Sequence, residues 1–433
     1  QLGVSPTFNL LTSVMDDMRP ENKYLHLMDE QEAITKAQAL LNRPGDANVS
    51  PLAVYRRAAK ADSVQQRRPN VVLIMMESMS AKFMKHFGQS ETLTPFLDSL
   101  YTRSISFRNF YSAGIHTNHG LYATLYSFPA MMKRNLMKGS VIPRYSGLPT
   151  VLKENGYYNL FFMTHEGQYD NMNAFFRTNG YDEVFSQEDY PADKVVNSFG
   201  VQDDFLYDYA IPVLNQRAAT GQPFFATLLS ISNHPPYVIP PFFHPKTSEP
   251  EMQIVEYADW ALRQFFEEAR KQPWFDNTIF VLEGDHVKLV GDAECELPES
   301  YNHIPLMIYS NRIQPEEKTA FGGQVDIQPT ILGLLNIDYL QNNFGVDLLK
   351  EERPCMFYTA DNMVVGRNDT LLYLYNYETQ QELTYDIGNG KLNAVPMDDR
   401  FLPLKEYSFS MLQSAEFLVK HGKTLNSIPF TQQ

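Results

Sequence analysis

Two apolar runs in this chain end on residues that can hold a metal. Thr278–Leu282 leads into Glu283-Gly284-Asp285-His286, and Asn70–Met76 leads into Glu77. Near-continuous apolar runs of this length read as strands buried on both faces. In an open parallel sheet, ligands sit beyond the carboxyl ends of such strands, where strand order switches. Glu77, Asp285 and His286 are therefore candidate metal ligands. Carboxylate oxygens with a neutral imidazole suit manganese, zinc or magnesium rather than a soft-metal cluster. Taken singly, Glu77 or Asp285 reads as a cap or a turn former; two such strand ends, with the segment between them, favour the metal site.

That segment is Gly114-Ile115-His116-Thr117-Asn118-His119-Gly120, followed by the helix-like run Leu121–Tyr126. A threonine here is ordinarily an N-cap that satisfies orphan amides. The chemical alternative is a hydroxyl nucleophile at a helix N-terminus, where amides and the helix dipole hold an anionic phosphoryl or sulfuryl group. A free hydroxyl is a poor nucleophile at neutral pH, and a divalent metal is one of the few ways to activate it. The metal and Thr117 readings support each other.

The elements that must position these residues alternate strand and helix from Asn70 onward: strands at Val71–Met76, Asn159–Met163, Phe224–Ile231, Thr278–Leu282 and Pro305–Tyr309, and helices at Thr94–Tyr101, Pro149–Glu154, Gln253–Lys271 and Asp326–Leu335. This rhythm predicts an α/β fold built on a doubly wound, mixed but mostly parallel sheet. After about residue 350 the pattern changes to short strands between turns (Met356–Thr359, Met363–Val365, Leu371–Tyr375, Glu382–Asp386) and a closing helix, Leu404–His421. That predicts a small C-terminal antiparallel α+β subdomain. The expected divisions are a helical arm and linker over 1–68, a catalytic domain over 69–350 and the C-terminal subdomain over 351–433. Within the arm, a helix over Asp29–Leu41 breaks at Pro44-Gly45, and Lys60–Pro69 reads as linker.

The 433 residues carry a net charge of −15, a poor surface for nucleic acid or anionic lipid as bulk partners, though not for a local cationic site. No run is long and apolar enough to span a bilayer, and no signal peptide is legible. A first residue other than Met suggests a processed or truncated piece, with any membrane anchor upstream. Cys295 and Cys355 fit no zinc spacing. They form one disulfide if the chain is extracytoplasmic, or remain two unrelated thiols.

In order along the chain, Asn70–Glu77, the Thr117 segment, Ser232-Asn233-His234-Pro235-Pro236-Tyr237, Gly284-Asp285-His286 and Gln324–Leu332 resemble the extracellular catalytic domain of lipoteichoic acid synthases. Those enzymes and the periplasmic phosphoglycerol transferases belong to the sulfatase and alkaline-phosphatase superfamily. The resemblance implies that Glu77, Thr117, Asp285 and His286 are the ligands of one divalent metal ion, manganese first, with zinc or magnesium as alternatives. It also implies that Thr117 is the nucleophile and that His234 contacts the glycerol-phosphate group. The expected reaction moves a phosphodiester head group, phosphoglycerol or phosphoethanolamine, from a lipid to a glycan or polymer acceptor outside the cytoplasmic membrane. A phosphothreonine forms on the way, and His234 or His303 protonates the leaving oxygen.

One departure from the family is informative. The family grips phosphoglycerol with a Trp and an Arg, and Asp170 and Met172 stand in those places here. Unless His165, Arg177 or Lys288 replaces the cation, the expectation is weak or no use of phosphatidylglycerol, and an acidic Asp170 favours a positively charged head group such as ethanolamine. The rival readings are a phosphodiesterase or phosphatase with water as acceptor, a sulfatase, and a catalytically silent head-group-binding ectodomain. The sulfatase reading is the weaker enzymatic one, because a formylglycine is made from Cys or Ser and the position holds Thr117.

Overall fold

A computed structural model of the chain describes residues 24–43, 55–58, 68–138, 141–388 and 390–426. The expected break at Pro44-Gly45 and most of the Lys60–Pro69 linker lie outside the described residues.

The elements in chain order are α1 (Glu30–Leu41), β1 (Tyr55–Ala58), β2 (Asn70–Met76), α2 (Pro95–Tyr101), β3 (Ile105–Tyr111), α3 (Thr117–Tyr126), α4 (Leu148–Glu154), β4 (Tyr158–Met163), α5 (Met172–Thr178) and β5 (Glu183–Phe185). There follow α6 (Asp203–Ala218), β6 (Phe224–Leu229), α7 (Pro250–Ala269), β7 (Thr278–Gly284), β8 (Leu306–Tyr309), β9 (Glu316–Gly323), α8 (Ile327–Leu334) and β10 (Tyr339–Asn342). The chain closes with β11 (Met356–Ala360), β12 (Met363–Arg367), β13 (Leu371–Asn376), β14 (Glu382–Gly388), β15 (Lys391–Ala394) and α9 (Leu402–Lys420).

The eight-stranded sheet has the order β5-β4-β6-β2-β7-β8-β3-β9. Only β8 runs antiparallel to its neighbours. The strands β2 and β7 are buried at every position because both faces are covered. Val71, Leu73 and Met75 pack into one core with residues of α3, α4, α5 and α8, while Val72, Ile74 and Met76 pack into a second with α2, α6 and α7. The period-2 alternation of a strand thus splits one apolar run between two cores.

The five strands β11 to β15 form an antiparallel meander whose inner face shares the first core with α9. Arg353, fully buried, fastens this region to the main sheet: Nε donates to Oδ2 of Asp326 at 2.9 Å, just before α8, and Nη1 donates to the Tyr407 hydroxyl on α9. A buried charge is tolerable only when paired and hydrogen-bonded in this way. The amides of Leu25 and Leu27 donate to Glu416 and Gln413 of α9, so the segment leading into α1 docks on the last helix.

Several elements were not legible in the sequence: β1, β3, β5, β9, β10, β15, α5 and α6. The long helix α6 carries Pro212 in its interior, which argues against a helix on sequence grounds. The thiols of Cys295 and Cys355 are both free, so the expected disulfide is corrected. Cys355 is buried, and burial pushes its thiol up to about 12; the Cys295 thiol donates to the Leu297 carbonyl. Among the described residues, no helix is long and apolar enough to cross a membrane.

Candidate active site and metal centre

Register brings the two acidic strand ends together. Strands β2 and β7 pair in parallel from Asn70 with Thr278 to Met76 with Gly284, so the next positions, Glu77 and Asp285, emerge side by side beyond the ladder. The turn is pinned from both sides: the amides of Ser78 and His286 donate to Oδ1 of Asp285 at 2.8 and 2.6 Å. The amide of Glu77 donates to Oγ of Ser230 at the end of β6, and Ser78 Oγ donates to Oε1 of Glu77 at 2.6 Å. Nε2 of His286 lies 3.7 Å from Oε1 of Glu77 and 3.5 Å from Oδ2 of Asp285.

Each carboxylate keeps one buried oxygen, Oε2 of Glu77 and Oδ2 of Asp285, without a hydrogen-bond partner. An orphaned buried carboxylate oxygen is costly. Burial, and then the facing Asp285, hold the Glu77 carboxyl well above its ordinary range. Two carboxylates and an imidazole whose donor atoms lie within 4.8 Å of one another fit a divalent cation, which would supply the missing partner.

Thr117 is the first residue of α3, and the cap position belongs to His116, which is extended and makes no side-chain cap bond. The capping reading of Thr117 is therefore not what the chain adopts, and the first amides of α3 are not closed off by a cap. The helix is laid against the end of β7. Oγ1 of Thr124 donates to Oε1 of Glu283 at 2.6 Å, and a Cβ on Gly120 would fall 2.1 Å from the Asp285 carbonyl oxygen. Four helical residues advance about 6 Å and two strand residues about 6.6 Å, so the contacts at 124/283 and 120/285 are in step. Gln324 clamps the junction, accepting from the Ala113 amide and donating to the carbonyls of Gly284 and Asp285. His119, buried in the same turn, is pushed down to about 3, first by burial and then by the neighbouring His116 and His286.

The other expected residues divide. His165 follows β4 and His234 follows β6, both at the same edge; burial lowers His165, and the charge of His234 adds to that. The His234 ring packs on Phe199 with centroids 4.0 Å apart. Asp170 reaches the nucleophile segment, its Oδ2 3.4 Å from Nδ2 of Asn118. Lys288 is held by Oδ1 of Asn233 at 3.2 Å, by the Tyr237 hydroxyl and by Glu251, and its charge acts on Glu77.

Three residues are not brought in. His303 is stacked on Tyr111, with Nε2 at 2.8 Å from the Arg108 carbonyl in mid-strand, so its expected proton-transfer role does not fit its position. Met172 is wholly buried, and Arg177 is spent on Asn173 and the Val184 carbonyl.

The cation that sequence reasoning missed is Lys138, whose Nζ lies 2.7 Å from Oδ1 of Asp170. Asp170 and Asn171 both adopt positive φ, 50° and 62°, and Asn171 donates to the Met137 carbonyl at 3.1 Å, so this turn is bolted to the segment carrying Lys138. Lysine in a polar loop carries no local signal of such a contact. Also missed were Asn233, which donates to the Ser78 carbonyl at 3.0 Å, and Asp203, which accepts the amides of Ile231 and Ser232 and so shapes the turn before His234.

A mostly parallel eight-stranded sheet with helices on both faces, and an acidic and imidazole cluster at its carboxyl edge that could hold a metal ion, is an alkaline-phosphatase-like fold. The sulfatase family profile matches residues 69–337, and the chain belongs to that family. Lipoteichoic acid synthase 2 of Bacillus subtilis is 24% identical over 315 residues, 65% of this chain and 47% of that protein. Phosphoglycerol transferase I of Xanthomonas campestris is 25% identical over 322 residues, 70% of this chain and 46% of that protein. The chain thus spans about half the length of these curated relatives. Among solved structures, a protein of the alkaline phosphatase superfamily from Vibrio parahaemolyticus superposes with TM-score 0.82 at 26% identity, covering 92% of this chain and 98% of that one. The lipoteichoic acid synthase LtaP of Listeria monocytogenes superposes with TM-score 0.70 at 21% identity, covering 84% and 96%.

Proposed function

We propose that the protein is a metal-dependent phosphotransferase acting outside the cytoplasmic membrane, moving the phosphodiester head group of a lipid to a glycan or polymer acceptor. The observation that carries this reading is the cluster of Glu77, Asp285 and His286, with two orphaned carboxylate oxygens, at the uncapped N-terminus of the Thr117 helix. Glu77, Asp285, His286 and the Thr117 hydroxyl would hold a divalent cation, manganese foremost, which lowers the pKa of a hydroxyl and neutralises phosphoryl charge.

Thr117 Oγ attacks phosphorus, the bond to the lipid oxygen breaks, and the head group remains on Thr117 as a phosphodiester. The amides of Thr117 and Asn118, which open α3 ahead of those that donate to the His116 carbonyl, would face the phosphoryl oxygens. His234 protonates the departing lipid oxygen; in the second step it takes the proton of the acceptor hydroxyl as that oxygen bonds to phosphorus and the phosphorus–Thr117 bond breaks, freeing Thr117 for the next cycle. His165 and Lys288 line the same edge and contribute donors to the anionic group.

Phosphoglycerol is the head group this reading favours. The charge argument for ethanolamine needs a solitary Asp170, and Asp170 is paired with Lys138. The pair offers an acceptor and a donor side by side, which suits a neutral diol, and relatives of the chain are lipoteichoic acid synthases and a phosphoglycerol transferase. Water in place of the acceptor would give a phosphodiesterase with the same first step.

The test is release of diacylglycerol from phosphatidylglycerol in the presence of Mn²⁺. Wild type turns over, Thr117→Ala does not, and Glu77→Gln loses both turnover and Mn²⁺ affinity measured by calorimetry. Unimpaired turnover by Thr117→Ala defeats the reading.

A further inference from the structure

We propose that Thr124 and Glu283 form a positioning pair that sets the axial register of the nucleophile helix against the metal-bearing strand; this rests on the assignment of Thr117 above. Glu283 is wholly buried on β7, where every other strand position from Thr278 to Leu282 is apolar except the first. Its Oε1 accepts the Thr124 hydroxyl at 2.6 Å, and its Oε2 has no partner. Around Thr124, α3 presents Leu121, Tyr122, Ala123, Leu125 and Tyr126, all buried. Apolar packing would fill this space without desolvating a carboxyl group, so stability alone does not account for the pair.

Position does account for it. The α3 helix has ten residues and no side-chain cap, and a cap would occlude the amides that face the substrate. Its entry is therefore fixed from further along. Gly120 gives close approach but little resistance to sliding, because a glycine on a carbonyl is a smooth contact. The short directional bond at Thr124 sits seven residues from Thr117, two turns down the same face, and fixes both rotation and translation of the helix. Glu283 lies on β7 and Asp285 two residues on, immediately beyond the strand's end, so the lock and the proposed metal ligand share one support.

The experiment compares wild type, Thr124→Val, Thr124→Ser and Glu283→Gln in the full chain. The readouts are kcat and KM on bis(4-nitrophenyl) phosphate, Mn²⁺ affinity by calorimetry, thermal midpoint, and hydrogen exchange of peptides covering α3. Displacement of the nucleophile by about an ångström costs on the order of 100-fold. Thr124→Val is expected to lower kcat by about 10–100-fold with KM and Mn²⁺ affinity within about 2-fold, and to speed exchange in α3. Thr124→Ser and Glu283→Gln, which keep the hydrogen bond, restore wild-type behaviour. A purely structural pair would lower the thermal midpoint and leave kcat and α3 exchange unchanged, which overturns the proposal. If the assignment of Thr117 is wrong, Thr117→Ala turns over the diester as wild type does; the exchange of α3 then still decides the register, unchanged exchange in Thr124→Val rejecting it and faster exchange upholding it.

Discussion

The α-carbon of Gly120 and the carbonyl of Asp285 stand so close that a Cβ on residue 120 would lie 2.1 Å from the carbonyl oxygen. No side chain fits there, so the helix that opens on Thr117 rests on the backbone of a metal-bearing strand end. The approach of the Thr117 helix to the strand end that carries Asp285 is in this sense a backbone property, set by a glycine and a strand register.

Gly120→Ala should therefore abolish activity while leaving most of the fold. Forcing a methyl into this contact costs on the order of 1–3 kcal/mol and pushes α3 away from β7. The expected outcome is loss of at least about 100-fold in kcat on a generic diester, with a thermal transition still cooperative. Wild-type turnover would show that the contact does not govern the site.

In the proposed reading Lys138, paired with Asp170, takes the place of a cation that Arg177, bonded to Asn173 and the Val184 carbonyl, does not offer. Lys138→Ala and Asp170→Asn should each raise KM for phosphatidylglycerol, by a factor of about 2–5, since an exposed ion pair contributes at most about 1 kcal/mol. Both should leave turnover of a diester lacking glycerol unchanged. If either variant instead improves phosphatidylethanolamine use above phosphatidylglycerol use, the diol reading of the pair is wrong.

The convergence of Glu77, Asp285 and His286 was legible in the sequence because buried strands announce themselves as apolar runs and their last residues stand out as acids. Thr117 was legible for its position, though not its local role: it is the first helical residue rather than the cap. Lys138, Asn233 and Asp203 were not legible, since their partners lie 32, 155 and 28 residues away and nothing in the local pattern anticipates the meeting. His303 misled for the opposite reason. It precedes β8, which runs antiparallel and so enters the sheet at the carboxyl edge beside Glu283, but its ring turns onto Tyr111 and the Arg108 carbonyl of β3 instead of the cluster. The reach of Asp170 was legible, while its neutralisation by Lys138 was not.

Asp259 offers a pH signature independent of the active site. It accepts the amides of Phe96 and Leu97 at the start of α2, yet burial outweighs those bonds and raises its carboxyl to about 7. A carboxyl raised on folding binds its proton more tightly in the native state, so its contribution is present below about pH 4 and is lost as pH climbs to about 7. In urea titrations at pH 5 and 7.5, wild type should lose more stability across the interval than Asp259→Asn. Equal pH dependence in the two proteins would show that Asp259 does not retain its proton.

The most direct measurement is the mass of the Thr117 peptide. The chain is incubated with Mn²⁺ and phosphatidylglycerol, quenched in acid, digested and mapped. A gain of one phosphoglycerol group on the peptide containing Thr117, absent without metal and absent in Thr117→Ala, is the result expected. Turnover of the lipid with no adduct on Thr117, or with the adduct on another side chain, would contradict the account at its centre.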